Sequence, residues 1–568
     1  MMPRILSVSI IVLFIAVLSS PVYGQQDDDA ALLPDIDPQD IEIRGQFLAR
    51  FPGLRRQPIL GFDPSLRIYQ IDPNRQPFME TGDEVVASLP VSELTRPAPP
   101  AYNALQYNDE IYAYSRIGVG SFTSPEAQFW GVLPINEQSY IGVDLDFSSS
   151  DGHLDEQPSS FRFLTGNAEF GTKLDEKTKL QLYGGGQSDF NHPAEFSAGV
   201  LNETVNIEHQ GFHAGAELSR FKNDIAGWQL QGNVRNFSTH FESQTFPGTI
   251  DELTYSGSFS NRWALGNPGE TFTLKAGGRG GNYEPENLES QIWSTLQGGI
   301  VYERLFNYNT QLHAEADVFY TTNIQEDNVY PGGLLEINHW FGDRLKVTGK
   351  VQGKPQLKTV EQLHEHNRFL GVENDLVHTY SIDVTGEAEI KYYRGSKLHG
   401  GVTYTNAQNY AFFLPETQRV PIGERLDTYT VNYQNATNFK LFAGITHQLL
   451  PERFWISGQA YLQNPELDGG DDIPFEENFG VNASMSLRPI DRITIEGWAD
   501  YVGERNTNIT NNNTVGDFFL VGGQLDVEVT NNFGAYLKLV NILGQEYEVF
   551  EGYEERPFQV YGGLTIKF

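Results

Sequence analysis

From about residue 110 to Phe568 the chain is written in short segments where apolar and polar residues alternate with a period of two. The last segment sets Phe558, Val560, Gly562, Leu564, Ile566 and Phe568 against Gln559, Tyr561, Gly563, Thr565 and Lys567. Before it, Phe533, Ala535, Leu537 and Leu539 alternate with Gly534, Tyr536 and Lys538. Earlier still, Ile493, Ile495, Ala499 and Tyr501 stand against Arg492, Thr494, Glu496, Trp498 and Asp500. A period of two predicts strands with one apolar and one polar face. Helical periodicity is scarce in this region.

The connections alternate between short and long. Read backwards from Phe568, the short ones include Thr530-Asn531-Asn532, Arg488-Pro489-Ile490-Asp491, Leu450-Pro451-Glu452-Arg453, Arg394-Gly395-Ser396 and Phe341-Gly342-Asp343-Arg344, and ten occur as far back as Pro134-Ile135-Asn136-Glu137. They carry the Gly, Pro, Asn and Asp that tight turns need. Between them lie longer polar stretches, among them 188–209, 354–377, 410–435, 464–477, 503–514 and 544–555. Ten short turns and eleven longer connections predict about 22 strands with both ends of the sheet on one side.

The polar rows decide what kind of sheet this is. A row carrying Arg492, Glu496 and Asp500 would cost several kcal/mol per unpaired charge in a dry core, and a wet lumen removes that cost. In hydrocarbon every backbone polar group must be paired within the protein, so strands cross only as a closed cylinder. The expected fold is therefore all-β: a large transmembrane antiparallel β-barrel over residues 110–568. Lipid lies outside it and water inside, and its location is the outer membrane of a Gram-negative envelope.

The N-terminus fits that destination. Met1-Met2-Pro3-Arg4 precedes an apolar run from Ile5 to Leu18, and Val22-Tyr23-Gly24 precedes the polar Gln25-Gln26-Asp27-Asp28-Asp29. This order reads as a secretory signal peptide over residues 1–24, cut after Gly24; the run is short of the roughly 20 residues a membrane helix needs. Residues 25–109 hold 11 of the 29 prolines, and Arg96-Pro97-Ala98-Pro99-Pro100 reads as extended chain. The segment is expected to be irregular, and either periplasmic or lodged in the lumen. There Arg44, Arg50, Arg55, Arg56, Arg67 and Arg75 could meet lumenal carboxylates.

Composition excludes several chemistries. With no cysteine there is no lipid-anchor cysteine, disulfide or thiolate metal site. A net charge of −35, from 74 acidic against 39 basic residues, argues against a nucleic-acid partner. No cofactor or enzymatic motif stands out among the 12 histidines. His364 and His366, with Asp375 and His378 nearby, raise a metal site, with simple loop polarity as the plainer reading. Asp468, Asp471, Asp472, Glu476 and Glu477 could gather a hard cation, against the plainer reading of a solvated acidic loop. Gly184-Gly185-Gly186 and Gly277-Gly278-Arg279-Gly280-Gly281 open no helix, so they are read as relieving crowding in a bent sheet rather than cradling phosphate. Phe319, Tyr320, Tyr404 and Tyr410 are expected in the aromatic girdles at the membrane interfaces.

The closing stretch Leu539-Val540-Asn541-Ile542-Leu543-Gly544-Gln545-Glu546-Tyr547, then Gly552-Tyr553-Glu554-Glu555-Arg556-Pro557-Phe558, then Gly562-Gly563-Leu564-Thr565-Ile566-Lys567-Phe568 resembles the C-terminal end of TonB-dependent receptors. The resemblance implies a 22-stranded outer-membrane barrel that imports scarce ligands. It also implies that Phe568, supported by Ile566 and Leu564, forms the signal read by the barrel-assembly machinery. That family carries a plug of well over a hundred residues ahead of the barrel, and residues 25–109 are too few for one. The departure puts coupling to an energy-transducing partner in question. A cylinder of that size is normally filled, and the candidates are residues 25–109, inward-folded outer loops or a separate periplasmic protein. The expected function is solute uptake or transport across the outer membrane. The alternative is a non-transporting scaffold that holds a periplasmic or lipoprotein partner.

Overall fold

The computed structural model describes residues 113–568, apart from 154–158, 193–205, 222–225, 243–247, 268, 287–288, 308, 324–326, 372–373, 416–427, 452 and 511–512. The expected signal peptide at 1–24 and the proline-rich segment at 25–109, and with it the question of a plug, lie outside the described residues.

Among the described residues, 22 strands form one sheet in which each pairs antiparallel with its chain neighbours. The sheet closes on itself. Ala113–Gly120, the first strand, pairs with Gln559–Lys567, the last, in a register running from Tyr114 opposite Lys567 to Gly120 opposite Tyr561. At the joint the Phe568 N–H donates to the Ala113 carbonyl at 2.9 Å and the Ala113 N–H returns to the Phe568 carbonyl at 3.3 Å. No edge strand is left unpaired, as hydrocarbon requires.

The predicted short turns fall at one end of the cylinder, with the joint between Ala113 and Phe568. There Gly269, Gly342 and Gly395 take positive φ, which glycine adopts without a Cβ penalty. The longer connections fall at the other end. One of them is unexpectedly brief: Ser121–Thr123 joins the first two strands, with Phe122 and Thr123 both at positive φ.

Each strand sends one row outward and one inward. The outward row is apolar and exposed, as with Val119 at 59%, Phe212 at 62% and Leu564 at 55%. These rows run sideways from strand to strand, because Leu230 is in register with Phe259, Val234 with Tyr255, Leu296 with Tyr320 and Val402 with Leu441. A continuous apolar band around a closed cylinder is a lipid-facing surface. Inward rows are polar and paired. Lys275 reaches Glu315 and, at 3.0 Å, Asp317; His313 lies 3.2 Å from Glu303, which also meets Arg262.

Two of the four expected girdle aromatics face the other way. Tyr320 and Tyr404 are exposed on the outer wall, whereas Phe319 and Tyr410 are buried. Phe319 is the neighbour of Tyr320, so it takes the opposite face. Tyr410 follows a register shift between Ala407 and Tyr410, with Asn409 at φ 53°, and a bulge of this kind inverts the parity of everything after it.

The expected loop at 410–435 is in part strand. Ser396–Pro415 and Tyr429–Leu450 have 20 and 22 residues, about twice the 9–11 needed to cross the bilayer. Their extensions stand above the membrane, where Ala411, Phe413, Tyr429 and Val431 join a packed core.

Candidate functional site

That core packs into the outer half of the lumen. It joins inward residues of the wall, Phe237, Ile250, Tyr283 and Trp293, to loop residues Leu357, Val360, Leu363, Leu370, Leu376, Phe475, Val515, Val549, Phe550 and Tyr553. Four outer connections, 357–378, 468–478, 503–517 and 541–558, therefore turn inward and pack on one another. Of the proposed fillings, inward-folded loops are the one seen among the described residues.

The deepest piece is a helix, Val360–His366, within the connection 357–378. Thr359 caps it: its side chain accepts from the Gln362 N–H while the Gln362 side chain accepts from the Thr359 N–H, a reciprocal capping box. Leu363 and Val360 are almost wholly buried. The barrel wall holds the connection by its backbone. Glu252 accepts from the Val360 N–H at 2.8 Å and from Trp293 Nε1 at 3.3 Å. Arg279 donates to the Leu357 carbonyl at 2.8 Å. Gln291 accepts from the Leu376 N–H at 3.0 Å and donates to Asp375 at 3.0 Å. Glu361 takes Arg235 at 2.7 Å and Gln187 at 2.8 Å. From the far side Asn374 Oδ1 accepts from the Val431 N–H at 2.9 Å.

The glycine run at 277–281 supports this arrangement. A Cβ at Gly281 would lie 2.6 Å from Trp293 Nε1, so the bare backbone makes room for the indole that Glu252 holds. The run relieves crowding as expected.

The histidines and acids singled out in the sequence do not converge. His364 sits with its ring centroid 4.8 Å from that of His209, His366 stacks on Phe413 at 5.2 Å, and His378 pairs with Thr295 at 2.8 Å, while Asp375 accepts from Gln291. Burial pushes the pKa of His366 down to about 3 and that of His378 down to about 4, and drives His364 well below its usual range. The acidic stretch disperses likewise: Asp468 accepts from Asn435, Asp472 from Asn506, Glu476 from Tyr410 and Glu477 from Tyr461. Among the described residues no three His, Asp or Glu side chains are grouped to hold a metal ion.

Beside the loop core a cavity of about 360 Å³ remains. It lies against the strands that flank the joint between first and last, and residues 553–556 line it from the last outer connection. Its floor carries Arg116, Glu126 and Lys538; its upper wall carries Phe161, Phe163, His192, Arg368 and Arg556. Lys538 Nζ meets Glu126 at 2.6 Å, and Tyr536 donates to the same carboxylate at 2.5 Å. Phe161 and Phe163, two apart on one strand, stack at 4.8 Å; Arg556 covers the first ring at 4.5 Å and Arg368 the second at 5.0 Å.

These residues went unseen in the sequence because they come from strands and loops far apart in the chain. Arg556 lies inside the stretch that carried the family resemblance, without a role. The capping box Thr359-Val360-Glu361-Gln362 was a readable signal for the helix.

No family model matches the sequence, and no curated protein matches it. Solved structures do match in shape. The ferripyoverdine receptor of the outer membrane of Pseudomonas aeruginosa, bound to ferripyoverdine, superposes with a TM-score of 0.61 at 12% identity, covering 81% of this chain and 72% of that one. The ferric-catecholate import receptor Fiu of E. coli K12 gives 0.60 at 9% identity over 81% and 82%. The copper transporter OprC gives 0.62 at 9% identity over 81% of each. At such identities the likeness is one of fold. Taken with the lipid-facing band and the closed 22-stranded sheet, it makes this chain an outer-membrane β-barrel built like the TonB-dependent receptors.

Proposed function

We propose that the barrel takes up a solute from outside the cell, admitting it through the cavity beside the loop core. The observation that carries this reading is the cavity: a polar, aromatic-walled space on the outer side, next to a lumen packed with loops that polar wall residues hold in place. Loops held on hydrogen bonds can be displaced without breaking the wall. Structural neighbours that are receptors or transporters by description support the same reading. Energy for displacement would come from an inner-membrane partner acting through the periplasmic end.

Planar-bilayer recording tests it. The purified chain is expected to conduct little until residues 358–377 are replaced by a short Gly-Ser linker, and then to open steadily; a variant as silent as the parent would refute uptake through this lumen. Deleting residues 25–109 should leave cells more sensitive to large antibiotics if that segment contributes to the seal. Leu564, Ile566 and Phe568 form the proposed assembly signal, and removing Phe568 should lower the amount of folded barrel in the outer membrane.

The loop-filled outer half also favours a second reading, in which the barrel conducts nothing and holds a periplasmic or lipoprotein partner. Stoichiometric copurification of such a protein with a barrel that stays silent after loop removal would select it.

A further inference from the structure

The cavity has an electrostatic peculiarity. Many lumenal cations sit on carboxylates, as with Lys275 on Glu315 and Asp317, Arg235 on Glu361, Lys397 on Glu389 and Lys567 on Glu528, while Arg279 and Arg505 spend their donors on loop carbonyls. Among the described residues, three arginines gathered in this one cavity make their hydrogen bonds to neutral acceptors and lie on aromatic faces. Arg116 donates to Gln524 at 2.8 Å and lies 3.6 Å above the Tyr536 ring. Arg368 donates to Asn191 at 3.3 Å over Phe163, and Arg556 to the Tyr561 hydroxyl at 3.0 Å over Phe161.

A guanidinium carries five donors in a planar fork, so one neutral acceptor apiece leaves most of that capacity for something else. The acids nearby absorb only part of it: Asp526 and Glu126 face Arg116, and Glu555 faces Arg368 and Arg556. Glu126 is engaged by Lys538 and Tyr536, and Asp146 accepts from Gln128 at 3.2 Å. Glu555 is part-buried, and desolvation pushes its carboxyl up toward the neutral form against the opposing fields of Arg368 and Arg556. In a chain of net charge −35, the general field repels anions, so a local concentration of guanidinium groups in a cavity is a place where an anion is drawn in. The stacked Phe161–Phe163 pair adds a flat apolar wall between the two upper arginines, and about 360 Å³ suits a small molecule.

We propose that this cavity binds a small organic polyanion, bearing carboxylate or phosphate groups, gripped between Arg368 and Arg556 with its apolar or planar part against Phe161 and Phe163. Arg116 at the floor receives a second charged group. The proposal rests on the uptake reading for why such a solute arrives from outside, and binding itself is measurable without transport.

The test is calorimetric titration of the purified full chain in detergent with citrate, with pyrophosphate and with sucrose. One of the two anions is expected to bind with an affinity that falls as salt rises, and sucrose is expected to give no heat; the anion that binds distinguishes a carboxylate from a phosphate site. Arg368→Gln and Arg556→Gln should each weaken binding roughly tenfold, and both Lys variants, which keep charge but lose the fork, should fall between. Arg453→Gln, at an exposed turn with Asp491, should bind like the parent. Heat-modifiable gel mobility reports whether each variant is folded, and the Lys variants decide the matter if a Gln variant is not. Failure of both anions, equal binding of sucrose, or unchanged affinity in folded Arg368 and Arg556 variants overturns the proposal. If the loop-replaced barrel conducts while no anion binds the parent, the uptake reading stands and this one falls.

Discussion

At the scale of single residues, the outer lumen is organised by polar side chains that satisfy loop backbone. Glu252 is the clearest: buried to 1% exposure, it takes one N–H from the lumenal helix and one from Trp293. Its replacement by alanine leaves two buried donors without an acceptor, at a cost of about 1–3 kcal/mol for each buried group. Hydrogen exchange should show this as faster opening of residues 357–366, with the barrel strands unchanged; equal protection in the Glu252→Ala variant would contradict the role. The sequence showed the period of two at such positions, and hence which side of the wall each takes, wherever parity ran uninterrupted. It did not show Tyr410, because the bulge after Ala407 resets the parity and leaves no compositional trace. Nor did it show that Glu252 differs from any other lumenal acid, since its partner is a backbone amide 108 residues away.

At the scale of elements, the connection 357–378 behaves as a docked unit whose stability depends on pH. Burial raises the pKa of Glu361 to about 7, so docking gains from this residue fully below its ordinary 4.5 and loses that gain as pH rises through about 7; Glu476, also raised to about 7, acts in the same sense where it meets the core. His364, His366 and His378 are depressed, so their contribution is present above 6.5 and is lost as pH falls toward their folded values, about 3 for His366 and about 4 for His378. Between about 6.5 and 4.5 the two sets oppose, and below about 4.5 only the histidines still change. Docking is therefore expected to change little between about pH 6.5 and 4.5 and to weaken steeply below that. Protease susceptibility of the loop against pH measures this; monotonic strengthening on acidification would be the wrong outcome. The short turns among the described residues were legible as elements because turn chemistry is local. The inward fold of the outer loops was legible only as one of three candidate fillings, because Val360, Leu363, Leu370 and Leu376 become a core only once wall residues from other strands surround them.

At the scale of the whole molecule, closure and the lipid-facing band fix the architecture, and both were readable from alternation and loop length. The band yields a depth-dependent prediction. Val234, exposed at 51% on the outer wall near the middle of Gly227–Glu242, should lose about 2–4 kcal/mol on replacement by arginine if it meets hydrocarbon. Urea unfolding in lipid vesicles checks this, and a cost near zero would place that row in water. The loop core and the cavity belong to the same scale but escaped the sequence, since they depend on which strands face each other across the lumen.

The joint between the first and last strands is eight residues against nine, while the hairpin Ser396–Leu450 commits 20 and 22. The joint pairs only seven residues, near the six-pair seam between Phe518–Glu528 and Phe533–Val540, so under thermal or mechanical load unzipping should begin in this part of the wall and spread around the circumference. Because the chain contains no cysteine, a single staple can be introduced cleanly at the register partners Val119 and Gly562. Val119→Cys with Gly562→Cys, oxidised, should raise the melting temperature, and reduction should return it.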